Sequence, residues 1–285
     1  MSTATLNDYL SLTKPRLTRL VLLSAACGAA LAPGHLNWFQ WLITLFGTAG
    51  VVAAANTLNC YLERDVDAYM ERTRDRPLVQ GRLEPQAALN FGLTLAIISS
   101  VALGLATNWL TAFLGLMGFV LYVSVYTPLK RRSMTALFAG AIPGAIPPVM
   151  GWTAASNSID AGAWILFGVL FFWQLPHFIA ISLFRLNEYN AAGLKTVPGT
   201  LGEESARTHM LIYSAFLVFV SLMPVPLKLA GPLYAYTALF SGLFFAGLCV
   251  ASYFKFKGLN WSRIVFWGSL AYLPLVLGIW VFDSA

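Results

Sequence analysis

Asn59, Glu63 and Asp67 recur every four residues in the stretch Asn56-Thr57-Leu58-Asn59-Cys60-Tyr61-Leu62-Glu63-Arg64-Asp65-Val66-Asp67. At about 3.6 residues per turn each step of four drifts by only about 40°, so a helix here carries all three side chains on one face. Such an oxygen-rich stripe suits a hard cation. Mg²⁺ fits best, because it is usually held by one or two carboxylates together with waters and substrate phosphates. The negative end of the helix dipole adds modestly to the attraction. Asp65 points off the stripe, with Arg64 and Arg72 as its expected ion-pair partners. A solvated helix end with scattered charge predicts neither the spacing nor the arginines that follow.

Those arginines are Arg72, Arg74, Arg76 and Arg82. Planar guanidinium groups bind phosphate oxygens in pairs, so carboxylates and arginines side by side point to a metal–diphosphate site, with Arg72 and Arg76 as its diphosphate contacts. A second basic cluster, Lys130, Arg131 and Arg132, follows Tyr126-Thr127-Pro128. Lys130, Arg131 and Tyr126 are expected to face the same diphosphate, with anionic lipid headgroups as the competing partner for the cations. Glu188, beside Tyr189, is a candidate second metal position. His177, in Trp173-Gln174-Leu175-Pro176-His177-Phe178, is an ionisable group inside an apolar run and a functional candidate on that ground. If its helix continues through Glu188, His177 lies roughly 16 Å deeper at about 1.5 Å rise per residue. His35 and His209 have no such setting.

The elements that must position these groups are membrane spans. Of 285 residues, 58% are hydrophobic and 11% charged, against about 25% charged in soluble domains. Runs of about 20 apolar residues fall near 17–33, 38–62, 86–107, 109–126, 134–154, 162–186, 208–229, 232–254 and 262–282. The expected fold is therefore all-α, a single polytopic membrane domain over residues 1–285 with nine transmembrane helices. Gly140-x-x-x-Gly144, beside Pro143, Pro147 and Pro148, favours close helix approach. Every one of the 18 Lys and Arg except Lys228 lies on one side of these spans, the bias of a cytoplasmic face. The N-terminus is then cytoplasmic and both long connections, 63–85 and 187–207, lie on that face. The net charge of +6 orients the chain in the bilayer and implies no nucleic-acid partner. Cys27, Cys60 and Cys249 have neither disulfide nor zinc spacing. A cleaved leader ending near Ala30 is disfavoured by the polar lead before Lys14.

The run Asn59-x-x-x-Glu63-x-x-x-Asp67-x-x-Met70-x-Arg72-Thr73-x-x-Arg76-x-x-x-x-Gly81 resembles the long first signature of the UbiA-type intramembrane prenyltransferases. Thr13-Lys14-Pro15-Arg16, Tyr126-Thr127-Pro128-Leu129-Lys130-Arg131, the run from Gly144-Ala145-Ile146-Pro147-Pro148 to Gly151-Trp152, and Leu175-Pro176-His177-Phe178 resemble the members of that family that farnesylate heme. The likeness reaches from the N-terminus to about Pro198, and the last three spans match only in being apolar. It implies nine helices around a central cavity, a diphosphate site at its cytoplasmic mouth in a bacterial inner membrane, Mg²⁺ dependence, and farnesyl diphosphate and heme B as substrates. Asn59, Glu63 and Asp67 would hold the metal, and Arg72 and Arg76 the leaving group. His177 would bind or orient heme, or act as acid–base in a water step. Trp173, Phe172 or Tyr126 would face an allylic cation. Two positions depart from the pattern. Glu63 stands where aspartate is usual, and Glu188 replaces the aspartate before Tyr189, with Phe184 where relatives with aromatic acceptors carry a second acid.

An aromatic or quinone-precursor acceptor is the nearest alternative, opposed by Phe184 and His177. A transporter is the alternative from another class, but internal repeats and helices broken at the midplane are missing from the sequence. Oligomeric state and prenyl chain length leave no trace in it.

Overall fold

A computed structural model describes residues 4–254 and 260–284. Lys255 and Lys257, two positions of the expected basic face, lie outside the described residues. The described chain is helical without strands: α1 (Leu6–Leu12), α2 (Pro15–Leu31), α3 (Trp38–Leu62), α4 (Arg64–Asp67), α5 (Pro85–Ala106), α6 (Trp109–Val120), a π-helical segment (Leu121–Tyr126), α7 (Thr127–Leu129), α8 (Ala136–Ser156), α9 (Ala161–Phe184), α10 (Leu186–Ala191), α11 (Val197–Leu201), α12 (Glu203–Leu222), α13 (Pro232–Phe254) and α14 (Trp261–Phe282). With α6, the π segment and α7 taken as one rod, the described residues form the nine expected long helices. Seven of them are long and apolar enough to cross a bilayer.

The two that fall short, α2 and α8, form the shared wall of the molecule. On one side they pack with α3 and α6, and on the other with α9. Their backbones touch. A Cβ on Gly28 would lie 2.0 Å from the Pro148 carbonyl oxygen, and one on Gly151 would lie 1.9 Å from that of Ala25. Small residues therefore set this crossing, as they do between membrane helices generally. The expected pair plays another part: Gly140 receives the Tyr126 ring and Gly144 the Gln174 amide. Pro143, Pro147 and Pro148 stay inside α8, whose buried setting tolerates freed carbonyls.

Two boundaries differ from the sequence reading. The seventh long helix runs over 203–222 instead of 208–229, because Pro224 and Pro226 end it in a series of turns closed by Lys228 at φ 57°. In α9 the helix stops at Phe184, and Glu188 belongs to the separate short helix α10. The 16 Å separation inferred for a continuous helix therefore does not apply. His177 lies seven residues from the end of α9, about 10 Å at roughly 1.5 Å per residue.

The basic loops converge at one end. Lys195 N–H donates to the Lys130 carbonyl at 2.8 Å, and Arg131 pairs with Asp65 across from the first loop. The N-terminal α1 packs there too, with Leu12 buried against Cys60, Leu78, Leu83 and Ala88. Burying that leucine contributes about 1.5–3 kcal/mol.

Candidate active site

The acidic stripe spans the joint between α3 and α4. Main-chain bonds from Glu63 N to Asn59 O (2.9 Å) and from Asp67 N to Glu63 O (2.8 Å) carry the helical register through it. All three side chains stay together and are buried, Asn59 to 2%, Glu63 to 5% and Asp67 to 1% exposure. The Thr73 hydroxyl donates to the Asp67 carbonyl at 2.8 Å, folding the following loop back over the joint.

Each carboxylate meets one cation. Lys130 Nζ lies 2.5 Å from Glu63 Oε1 and donates to Oε2 at 2.7 Å, with its ammonium 5.0 Å from the centre of the Tyr126 ring. Arg76 pairs with Asp67. Burial raises the Asp67 pKa above its ordinary value against the opposing pull of Arg76. For Lys130, burial alone would lower the pKa, but Tyr126 and Glu63 outweigh it and raise it. Asn59 is the hub. Its amide nitrogen donates to Glu63 Oε2 (2.8 Å) and Thr127 Oγ1 (3.2 Å), while its oxygen accepts from Lys14 Nζ at 2.7 Å.

The loop arginines divide. Only Arg76 turns inward. Arg72 and Arg74 are exposed, Arg72 lying within electrostatic range of Tyr189, and Arg82 ties α1 down through Asp8 at 3.1 Å. Arg131 corrects two expectations. It pairs at 2.8 and 2.5 Å with Asp65, which therefore takes neither Arg64 nor Arg72, and it holds that carboxylate at the exposed surface instead of entering the stripe. Lys130 and Arg131 are sequence neighbours that leave the end of α7 in opposite directions. Glu188 pairs with Arg185 at 2.7 Å. It does not join Glu63 and Asp67, since no group of three His, Cys, Asp or Glu among the described residues is placed to hold a metal.

The residues nonetheless fit Mg²⁺. Glu63 Oε1 is buried without a hydrogen-bond donor of good geometry, beside a second buried carboxylate, and an ion that takes one or two carboxylates and completes its shell from phosphates needs no third acid.

Four contributors escaped the sequence reading. Lys14 adopts a left-handed conformation (φ 51°, ψ 61°) just before Pro15. The conformation is unusual for a lysine, and it starts α2 with the side chain turned into the site. The Lys-Pro pair was its only signal, since the residue before proline is pushed out of the helical region. Thr127 sits at the end of the π segment, where its N–H and hydroxyl both bond to the Tyr122 carbonyl. Such single-turn wide segments frequently mark functional positions. Tyr189 lies within electrostatic range of Arg72, Arg185 and Lys130. Ser269, in the apolar α14, carried no signal.

Ser269 defines His177. Its hydroxyl donates to the Phe266 carbonyl at 2.6 Å and meets His177 Nδ1 at 2.7 Å. With the serine proton on that carbonyl, Nδ1–H would donate to Ser269 and Nε2 would keep its lone pair. His177 is 8% exposed, stacked on Trp173 at 4.9 Å and against Phe266 at 5.0 Å. The Trp173 indole N–H donates to the Ser269 carbonyl at 2.7 Å. Phe172 instead stacks on Phe216 of α12.

Against known proteins, residues 21–270 match the UbiA prenyltransferase family. The protoheme IX farnesyltransferase of Myxococcus xanthus is 51% identical over 94% of this chain and 91% of its own length. That of Anaeromyxobacter dehalogenans is 47% identical over 96% and 92%. Among solved structures, a digeranylgeranylglyceryl phosphate synthase superposes with a TM-score of 0.81 at 17% identity, covering 98% of both chains. A UbiA homolog from Archaeoglobus fulgidus bound to GPP and Mg²⁺ does so at 0.72 and 18%, covering 95% of this chain and 99% of its own. At these identities the structures carry the fold alone.

Proposed function

The chain belongs to the UbiA prenyltransferase family, and from that premise we propose that it transfers the farnesyl group of farnesyl diphosphate to a vinyl group of heme B, with addition of water, to give heme O. The observation that carries the donor half is the buried stripe of Asn59, Glu63 and Asp67 with Lys14, Arg76 and Lys130 turned toward it. Sequence identities of 51% and 47% over more than nine-tenths of the chain to protoheme IX farnesyltransferases support the acceptor. The converging basic loops support an active site that opens to the cytoplasm.

Lys14, Arg76 and Lys130 bind the diphosphate, and Arg72 meets it at the rim. Glu63 and Asp67 would hold Mg²⁺, which would supply further positive charge against the leaving group. The bond from farnesyl C1 to oxygen breaks, and its electron pair leaves with the phosphate. The terminal vinyl carbon of heme then forms a carbon–carbon bond to C1, and water adds to the inner vinyl carbon with loss of a proton. Trp173 and Tyr126 offer ring faces to the passing cation. Tyr126 thus serves through its ring, beneath Lys130, and Asn59 holds Glu63 in place. Glu188 acts through Arg185 at the mouth.

His177 serves the acceptor. Its free Nε2 suits axial ligation of heme iron. The same lone pair suits removal of the water proton, and the heme absorption spectrum of His177→Ala separates the two: loss of the ligated spectrum supports ligation, whereas an unchanged spectrum with lost product supports the base. The reading as a whole is tested by mass spectrometry of heme extracted from cells expressing the chain. Heme O is expected. Accumulation of a prenylated aromatic with no heme O would overturn it.

A further inference from the structure

Lys14, Arg76 and Lys130 turn their charged ends toward Asn59, Glu63 and Asp67, so three cations face two carboxylates. Lys130 covers Glu63 and Arg76 covers Asp67, while Lys14 hydrogen-bonds the neutral oxygen of Asn59 and acts on both carboxylates from beyond ion-pair distance. Both carboxylates are therefore already neutralised, and the group as a whole keeps one unpaired positive charge. A divalent cation arriving alone would add to that excess. It would also have to compete with an ammonium and a guanidinium at contact distance for the only two acids available.

We infer that the chain takes up Mg²⁺ only together with a diphosphate, whose oxygens draw Lys130 and Arg76 off Glu63 and Asp67 and so open those carboxylates to the metal. The inference rests on the diphosphate-donor reading above and adds the order in which the site fills. The geometry favours the exchange. Phosphate oxygens bind ammonium and guanidinium groups strongly, and the guanidinium in pairs. The carboxylates also keep their positions when the cations leave. Glu63 remains held by the Asn59 amide at 2.8 Å, and the Asp67 backbone is fixed by Glu63 O at 2.8 Å and the Thr73 hydroxyl at 2.8 Å. Glu63 Oε1, which Lys130 touches at 2.5 Å without a well-aligned hydrogen bond, is the oxygen the departing ammonium uncovers. Lys130 and Arg76 thereby act as place-holders that keep buried carboxylates paired until a substrate brings its own negative charge.

The full chain in lipid nanodiscs is titrated with Mn²⁺, followed by electron paramagnetic resonance, with and without farnesyl S-thiolodiphosphate, a donor analogue resistant to ionisation. Mn²⁺ affinity is expected to rise by about 50-fold or more with the analogue, within the range of about 5–150-fold common for coupled sites. Because such coupling is reciprocal, the metal must raise the analogue's affinity by the same factor in calorimetry. Lys130→Gln is expected to raise Mn²⁺ affinity without the analogue severalfold, since Glu63 is then uncovered, and to weaken the analogue. Equal Mn²⁺ affinity with and without the analogue overturns the inference while leaving the donor reading intact. Failure of the analogue to bind even with Mg²⁺ removes the donor reading and the inference with it.

Discussion

Lys14→Met keeps the length of the side chain and removes its charge. Lys14 Nζ donates to Asn59 Oδ1 at 2.7 Å and has no carboxylate partner among the described residues, so its charge is available to a bound anion. Two unit charges about 4 Å apart interact by about 4 kcal/mol at an effective dielectric constant near 20. Lys14 is half-buried, and solvent screening brings this to about 2–3 kcal/mol. The expected loss in kcat/KM for the donor is therefore about 30–150-fold, with KM for heme unchanged. Stability should move the other way. Burial lowers the Lys14 pKa, so below the lowered value the charge costs folding stability, a cost that fades as pH rises through that value toward the ordinary one. Without substrate the variant should be at least as thermostable as the parent at pH 7. Initial rates with varied farnesyl diphosphate and thermal unfolding by intrinsic fluorescence measure both quantities. Donor kcat/KM within threefold of the parent, or a marked drop in the unfolding temperature, would refute an unpaired, substrate-facing cation.

Asp67→Asn should lose about 10²–10³-fold in turnover, about 2.7–4 kcal/mol, while the protein still inserts and accumulates. In the parent, the raised pKa of Asp67 places the loss of activity with falling pH above the ordinary carboxylate value of 3.8, and a pH–rate profile with no such acid limb contradicts its role as an ionised ligand. Ser269→Ala frees the His177 ring from its Nδ1 partner and should lower heme turnover by about 10–100-fold, the usual effect of removing a ligand's orienting partner, with donor affinity intact. A proportional loss of donor affinity would argue for general damage. Gly151→Val drives its side chain into the Ala25 carbonyl and should prevent accumulation of folded protein. Normal yield in a detergent-solubility assay would exclude the backbone contact between α2 and α8.

What the sequence made legible was local. Nine apolar runs announce nine long helices, because in a bilayer each span must satisfy its own backbone. The stripe of Asn59, Glu63 and Asp67 follows from a spacing of four, and it survives the break between α3 and α4 because two main-chain bonds bridge the joint. What stayed hidden depends on contacts between distant segments. Lys130 reaches Glu63 across 67 positions and Lys14 reaches Asn59 across 45. Charge counting could not tell inward Lys130 from outward Arg131, or inward Arg76 from exposed Arg72, because each pair shares one basic loop. The π segment before Pro128 is likewise invisible to a helical period. Ser269 lies in the third of the chain where only apolarity was legible, yet it is the partner of His177 Nδ1.

The division of polar groups along the bundle explains how one interior serves both ionisation and capture. The buried acids Glu63 and Asp67 lie at the basic end, where Lys14, Arg76 and Lys130 face them close to the loops and a charged leaving group can depart into water. About 10 Å deeper, at roughly 1.5 Å per residue along α9, the chemistry changes to rings: Trp173, His177, Phe178 and Phe266 surround one another. An allylic cation formed at the charged end faces nucleophilic water there, whereas the aromatic layer offers ring faces and few hydrogen-bonding groups. His177 is the exception in that layer, with Nδ1 bonded to Ser269. A prenyl transfer that ends in addition of a single water would be served by this arrangement, with the one imidazole of an aromatic layer in the proposed role of fixing the acceptor or accepting the last proton.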